Sequence, residues 1–125
     1  MAAEREPRLR LLLAIYTREL KKAFYLALST QPAVHVIASA TNSAELVSFN
    51  RAFQPDAIAL EWELPGKPVV ELLPMLAQAH SPTEILVISR PSSRKQIRDD
   101  APDVRVFDDP EQLIHTLDAL RVTRL

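Results

Sequence analysis

Glu61 closes the apolar run Ala57-Ile58-Ala59-Leu60, which begins after Asp56, and is followed by Trp62-Glu63-Leu64-Pro65-Gly66. An apolar run that ends abruptly in a carboxylate is the pattern of a buried parallel strand delivering one acidic side chain to the carboxyl edge of a sheet. Ligand and catalytic sites of open α/β folds lie at that edge. Glu61 is therefore the candidate for a working acid, and the rest of the chain decides whether it has the partners such chemistry needs.

Other constellations are sparse. No Ser-His-Asp order, glycine-rich phosphate loop or paired-carboxylate motif is present, and a single glycine, Gly66, rules out dinucleotide and P-loop readings. His35, His80 and His115 fall on a strand, a helix end and the last helix, without a second ligand at metal spacing, so they read as ordinary surface or core histidines. Arg90, Arg94, Lys95 and Arg98 form a basic cluster that could meet a phosphate or an acidic partner. Asp99, Asp100 and Asp103 follow at once and cancel its field, which reads as a solvated helix face. Trp62, beside Glu61, could anchor a partner or pack under its own loop.

With 125 residues the chain is predicted to be one domain spanning 1–125, long enough to bury a core. Fifteen basic against sixteen acidic residues leave a formal charge of −1, so no global field attracts nucleic acid or membrane. Direct nucleic-acid binding is not expected. The absence of cysteine excludes disulfides and thiolate metal sites and fits a reducing compartment. The charged start, Met1 to Pro7, lacks the apolar core of a signal peptide, and the apolar run 9–16 is too short to span a bilayer. A soluble, cytoplasmic protein is the expectation.

The elements that must position Glu61 follow from periodicity. Residues 9–15 form a near-continuous apolar run, a strand covered on both faces. Thr17 can N-cap a helix over 18–28, where Leu20, Ala23, Phe24, Ala27 and Leu28 recur at helical spacing. A second strand is read at 34–40, then a helix capped by Asn42 or Ser43 and stopped by Pro55. After the Glu61 strand, Gly66 marks a backbone position where a side chain is not tolerated. A third helix, 68–78, should be kinked or split by Pro74. Further strands are predicted at 84–89 and 104–107, with a short polar helix at 92–99 between them. Asp108 or Asp109 caps a last helix whose apolar stripe is Leu113, Ile114, Leu117 and Leu120. Five strands alternating with five helices imply an α/β, flavodoxin-like (βα)5 fold, a doubly wound five-stranded parallel sheet of order 2-1-3-4-5.

The segment Pro55-Asp56-Ala57-Ile58-Ala59-Leu60-Glu61-Trp62-Glu63-Leu64-Pro65-Gly66 resembles the third strand and following loop of response-regulator (CheY-like) receiver domains: Pro-Asp, an apolar run, an Asp, two residues, then Met or Leu-Pro-Gly. The resemblance extends over the whole chain, with Ile88-Ser89 similar to the family's fourth-strand Thr or Ser and Asp109-Pro110-Glu111-Gln112-Leu113 similar to the start of its fifth helix. It implies that Glu61 stands at the phosphoacceptor position. Receivers place an acidic pair after the first strand to hold Mg²⁺, where this chain has Ile15-Tyr16, and no Asp precedes Asp56. They also keep a lysine after the fifth strand, whereas the lysines here are Lys21, Lys22, Lys67 and Lys95.

Phosphoryl transfer is mostly positioning and charge neutralisation by metal and lysine. The resemblance, with these departures, implies a degenerate pseudo-receiver: Ile15, Tyr16, Glu61 and Ser89 mark a former phosphorylation site that binds no Mg²⁺ or other cofactor and is not an enzyme. Glu61 is then satisfied by Tyr16, Ser89, a backbone amide, Arg18 or Arg90, or senses a small molecule or cation, or mimics the phosphorylated carboxylate. The expected role is phosphorylation-independent interaction with a protein partner or a second copy, in bacterial signal transduction or transcription regulation. Arg90, Arg94, Lys95, Arg98, Leu113, Ile114 and Leu117 are the expected partner face. A ligand-sensing domain with a pocket at Tyr16 and Glu61 is the alternative; a flavin carrier is disfavoured because 16–20 cannot cradle a phosphate. A DNA-binding domain, if attached, would follow Leu125.

Overall fold

Strand β1, Leu9–Ala14, runs through the middle of the protein with both faces covered. The computed structural model describes residues 8–78 and 84–123. Successive side chains of a strand point to opposite faces. Leu11, Leu13 and Ile15 accordingly pack with Phe24 and Leu28 of α1, Arg18–Ser29, and with Leu113 and Leu117 of α5, Pro110–Thr123. Leu12 and Ala14 pack with Leu46 of α2, Ser43–Phe53, and with Leu72 and Leu76 of α3, Val69–Gln78. Each wholly buried leucine contributes ~1.5–3 kcal/mol, so this one strand anchors two helical layers.

Five parallel strands stand in the order β2-β1-β3-β4-β5, with β2 at Val34–Ala40, β3 at Ala57–Glu61, β4 at Glu84–Ile88 and β5 at Arg105–Phe107. This is the flavodoxin-like (βα)5 arrangement predicted from the alternation of elements.

The edge strand β2 carries a feature its sequence does not announce. Leu11 pairs with Val36, but Leu12 pairs with Ala38, leaving Ile37 as an extra residue. Such a bulge reverses which face the following residues present. Val34 and Val36 therefore pack on the α1/α5 side, and Ala38 and Ala40 on the α2/α3 side. The Ser39 hydroxyl is left buried without a hydrogen-bond partner among the described residues.

Caps settle several choices that the sequence left open. Asn42 is the cap of α2, its side chain accepting from the Glu45 amide at 2.9 Å. Glu45 reaches back to accept from the Thr41 amide at 2.8 Å and its hydroxyl at 3.0 Å. These two bonds, the backbone one foremost and then the hydroxyl, hold its carboxyl below the ordinary glutamate value, with burial opposing and Lys21 assisting. Gln54, left-handed at φ 48°, ends α2, and the Arg10 guanidinium covers that end by donating to the Phe53 and Gln54 carbonyls. Asp109 caps α5 through the Glu111 amide at 3.0 Å.

Pro74 does not split α3, which runs unbroken through Gln78. The predicted polar helix is a 3₁₀ turn, Pro91–Ser93, continued by α4, Arg94–Asp100. β4 stops one residue before Ser89 and β5 begins one after Val104.

Candidate functional site: the carboxyl edge of the sheet

Glu61 is the last residue of β3, at the edge where ligands of such folds bind, and it is 0% exposed. A buried carboxyl group without partners would be costly. Here both oxygens act as acceptors. Oε1 takes the amide hydrogens of Tyr16 at 2.9 Å and of Thr17 at 3.0 Å, and Oε2 takes the Thr17 hydroxyl. The group sits just ahead of the N-terminus of α1.

Of the donors foreseen for Glu61, the backbone amides are the ones that serve. The Tyr16 ring turns outward, 61% exposed, so that residue contributes through its main chain. Ser89 is buried, but its hydroxyl donates to the Arg90 carbonyl at 3.2 Å and its amide to the Phe107 carbonyl at 2.8 Å. Neither Arg18 nor Arg90 pairs with Glu61. Ile15 is wholly buried in the α1/α5 core.

Thr17 corrects the sequence reading. Its side chain does not cap α1; its carbonyl accepts the Lys21 amide, while its hydroxyl is committed to Glu61. Both roles suit a threonine ahead of a helix, and only the distance to Glu61 decides between them.

The loop after Glu61 is pinned on both sides. Gly66 has φ 109°, and a Cβ there would collide with the Ser43 hydroxyl, which accepts the Lys67 amide at 2.9 Å. The Ser43 amide donates to the Pro65 carbonyl at 2.9 Å. Ser43, a candidate cap, instead fastens the β3–α3 loop to α2. On the other side the Ser93 hydroxyl donates to Glu63 at 2.9 Å; beyond the loop, Arg94 of α4 pairs with Asp108 after β5 at 3.1 Å. Trp62 is half-buried, packed against the α2/α3 core.

The proposed partner face divides. Arg90, Arg94, Lys95 and Arg98 are exposed, but Leu113 and Leu117 are wholly buried in the α1/α5 core and Ile114 is partly buried beside them. The leucines of that stripe face inward because α5 lies over β1 and β5, so they cannot meet a partner. His35 and His115 are exposed, and His80 lies outside the described residues. Among the described residues no group of His, Asp and Glu is placed to hold a metal, and no helix is long and apolar enough to cross a membrane.

The fold matches solved receiver domains. The chain is similar to the receiver domain of the response regulator NarL from Mycobacterium tuberculosis, at 19% identity over 90% of this chain and 98% of that one, TM-score 0.70. It is similar to the response regulator domain of CheB from Thermotoga maritima, at 16% identity over 91% and 96% of the two chains, TM-score 0.74. It is also similar to the receiver domain of RcsB from Salmonella enterica serovar Typhimurium, solved with the phosphomimetic BeF₃⁻, at 15% identity over 91% and 88%, TM-score 0.75. No family model matches the chain, and no curated protein matches its sequence. The architecture is the receiver fold.

Proposed function

We propose that this chain is a phosphorylation-independent receiver-fold domain: a single, cytoplasmic, non-enzymatic module of bacterial signal transduction or transcription regulation that works by binding a protein partner or a second copy of itself. The observation that carries this reading is the closed state of Glu61. At the strand end where receivers bear an aspartate, a glutamate lies wholly buried with both oxygens accepting bonds from Tyr16 and Thr17.

Phosphoryl transfer requires an acceptor open to in-line attack, with a metal and a cation to neutralise the developing charge. Ile15 and Tyr16 offer no carboxylate for Mg²⁺ beside Glu61, and no lysine occurs at or after β5. The Thr17 bonds instead join the β1–α1 loop to the end of β3 directly. An edge tied in this way holds one arrangement without an incoming phosphoryl group, so its partner surface is continuously presented.

A small molecule at Tyr16 and Glu61 is the weaker reading, because it would have to displace Thr17 to reach the carboxyl group. Incubation with acetyl phosphate and Mg²⁺ followed by intact mass spectrometry tests the main one. The unmodified mass is expected; a phosphorylated species whose formation needs Glu61 would overturn the proposal.

A further inference from the structure

Ser93 fastens the loop after Glu61 to the segment that leads into α4, its hydroxyl donating to the Glu63 carboxylate at 2.9 Å. It closes the 3₁₀ turn Pro91–Ser93, whose backbone bond runs from the Ser93 amide to the Arg90 carbonyl at 3.0 Å. Arg90, Pro91, Ser92 and Glu63 are all exposed, so the contact lies at the surface on one short turn. Charge along this stretch is one-sided. No Asp or Glu occurs in the sequence between Glu84 and Asp99, while Arg90 stands three residues before Ser93 and Arg94, Lys95 and Arg98 follow it.

A serine hydroxyl carried on an exposed cationic turn is matched by an enzyme that binds its substrate in an acidic groove, because complementary charge steers the encounter and fixes the register. Ser89, nearby in the chain, is 3% exposed and out of reach. Ser93 is only partly buried, and its hydroxyl is the one committed to Glu63. A phosphoserine carries about −1.5 to −2 charge at neutral pH. At Ser93 it would remove the donated hydrogen and set a second anion against the Glu63 carboxylate, turning an attraction into a repulsion. Arg94 is held by Asp108 only in a part-exposed pair, a kind that contributes little, and guanidinium groups bind phosphate oxygens through two parallel hydrogen bonds.

We propose that Ser93 is the acceptor of a basophilic protein kinase, and that its phosphate unfastens the β3–α3 loop from the start of α4. The Ser93 oxygen forms a bond to the γ-phosphorus of ATP, the bond from that phosphorus to the β,γ-bridging oxygen breaks, ADP leaves, and the hydroxyl proton passes to a base of the kinase. The independence from phosphorylation proposed for this chain concerns the Glu61 edge, which an ester on Ser93 leaves closed. The inference therefore goes beyond that reading and gives the module a switch outside the edge.

The test is incubation of the full chain with ATP, Mg²⁺ and a serine kinase that selects arginine ahead of its acceptor, with a kinase that selects acidic substrates as the control. One phosphoryl group is expected from the first kinase and none from the second, mapped to Ser93 by peptide fragmentation. Ser93→Ala should abolish it, Ser92→Ala should leave it, and Arg90→Ala should slow it at least tenfold, with circular dichroism confirming that the variants are folded. The modified chain should melt several degrees below the unmodified one. In Glu63→Gln, whose side-chain NH₂ can donate to the phosphate, less than half of that difference should remain. No incorporation, incorporation only at another residue, or an equal melting difference in Glu63→Gln would overturn the proposal. Each of these outcomes leaves the acetyl phosphate result, and with it the reading of Glu61, untouched.

Discussion

Thr17 donates to Glu61 twice, through its amide at 3.0 Å and through its hydroxyl, one bond to each carboxyl oxygen. Two residues 44 positions apart are thereby closed into a ring of hydrogen bonds at the head of the sheet. This ring is what a substitution at either residue must break.

At position 61 the order of stabilities should be Glu, Gln, Asp, Ala. Glu61→Gln keeps an oxygen for the two amides, and the Thr17 hydroxyl can turn to accept from the new NH₂, so the cost is about 1 kcal/mol. Glu61→Asp keeps the carboxyl group but withdraws it by ~1.5 Å, beyond reach of its donors, and should cost more than Gln. Glu61→Ala leaves three part-buried donors without their acceptor and should cost about 3 kcal/mol. Urea unfolding gives the ranking; Asp as stable as Glu would refute the geometry.

Thr17→Val removes the hydroxyl and leaves the amide, at an expected cost of about 1.5–3 kcal/mol for a bond to a carboxylate. Thr17→Ser should lose less than half of that. Equal losses in thermal melts would mean that the methyl group, not the hydroxyl, matters.

Gly66→Ala introduces a Cβ both at positive φ and against the Ser43 hydroxyl, and should destabilise by about 1–3 kcal/mol. Ser43→Ala also costs stability, because it removes the acceptor of the Lys67 amide. The double variant should be less damaged than the sum of the two, since the collision with the hydroxyl is gone, while the close Ser43 Cβ at 3.0 Å and the strained φ remain. Additive losses in a double-mutant cycle would show that the loop relaxes away from α2.

Ser39→Ala should stabilise the protein by about 1 kcal/mol, because it removes a buried hydroxyl that no described residue satisfies. A lower unfolding midpoint would mean that the hydroxyl is bonded after all.

Glu45 gives the fold an acid limb. Its carboxyl is held below its ordinary value of 4.5 by the Thr41 bonds, so the folded state takes up its proton later than the unfolded state does. The contribution is complete above that value and is lost as pH falls through the folded one. Glu45→Gln should flatten this part of the profile of stability against pH at and below 4.5. An unchanged slope would place the acid sensitivity elsewhere.

The centre of the sheet was legible in the sequence because β1 and β3 are buried on both faces. Runs such as Leu11-Leu12-Leu13-Ala14-Ile15 leave no amphipathic alternative, and Pro55, Gly66 and Pro110 punctuate them. Features that depend on two elements meeting were not legible. Thr17 reads as a cap until Glu61 is seen within reach, and the extra residue at Ile37 exists only relative to the pairing of β1. Leu113 and Leu117 were placed on a surface for the same reason: a stripe shows periodicity, not which neighbour covers it.

The bulge in β2 has a consequence for how this molecule can meet others. An exposed sheet edge is a template on which a foreign strand can grow, and its danger rises with the length of unbroken register. At Ile37 the ladder of β2 changes phase, so an added strand following Val34 to Val36 would present the wrong side chains from Ala38 onward. The opposite edge, β5, is only three residues long. Both margins of the sheet thus resist extension, which leaves helices and loops as the surfaces for association and protects a marginal domain from joining its copies edge to edge into fibrils.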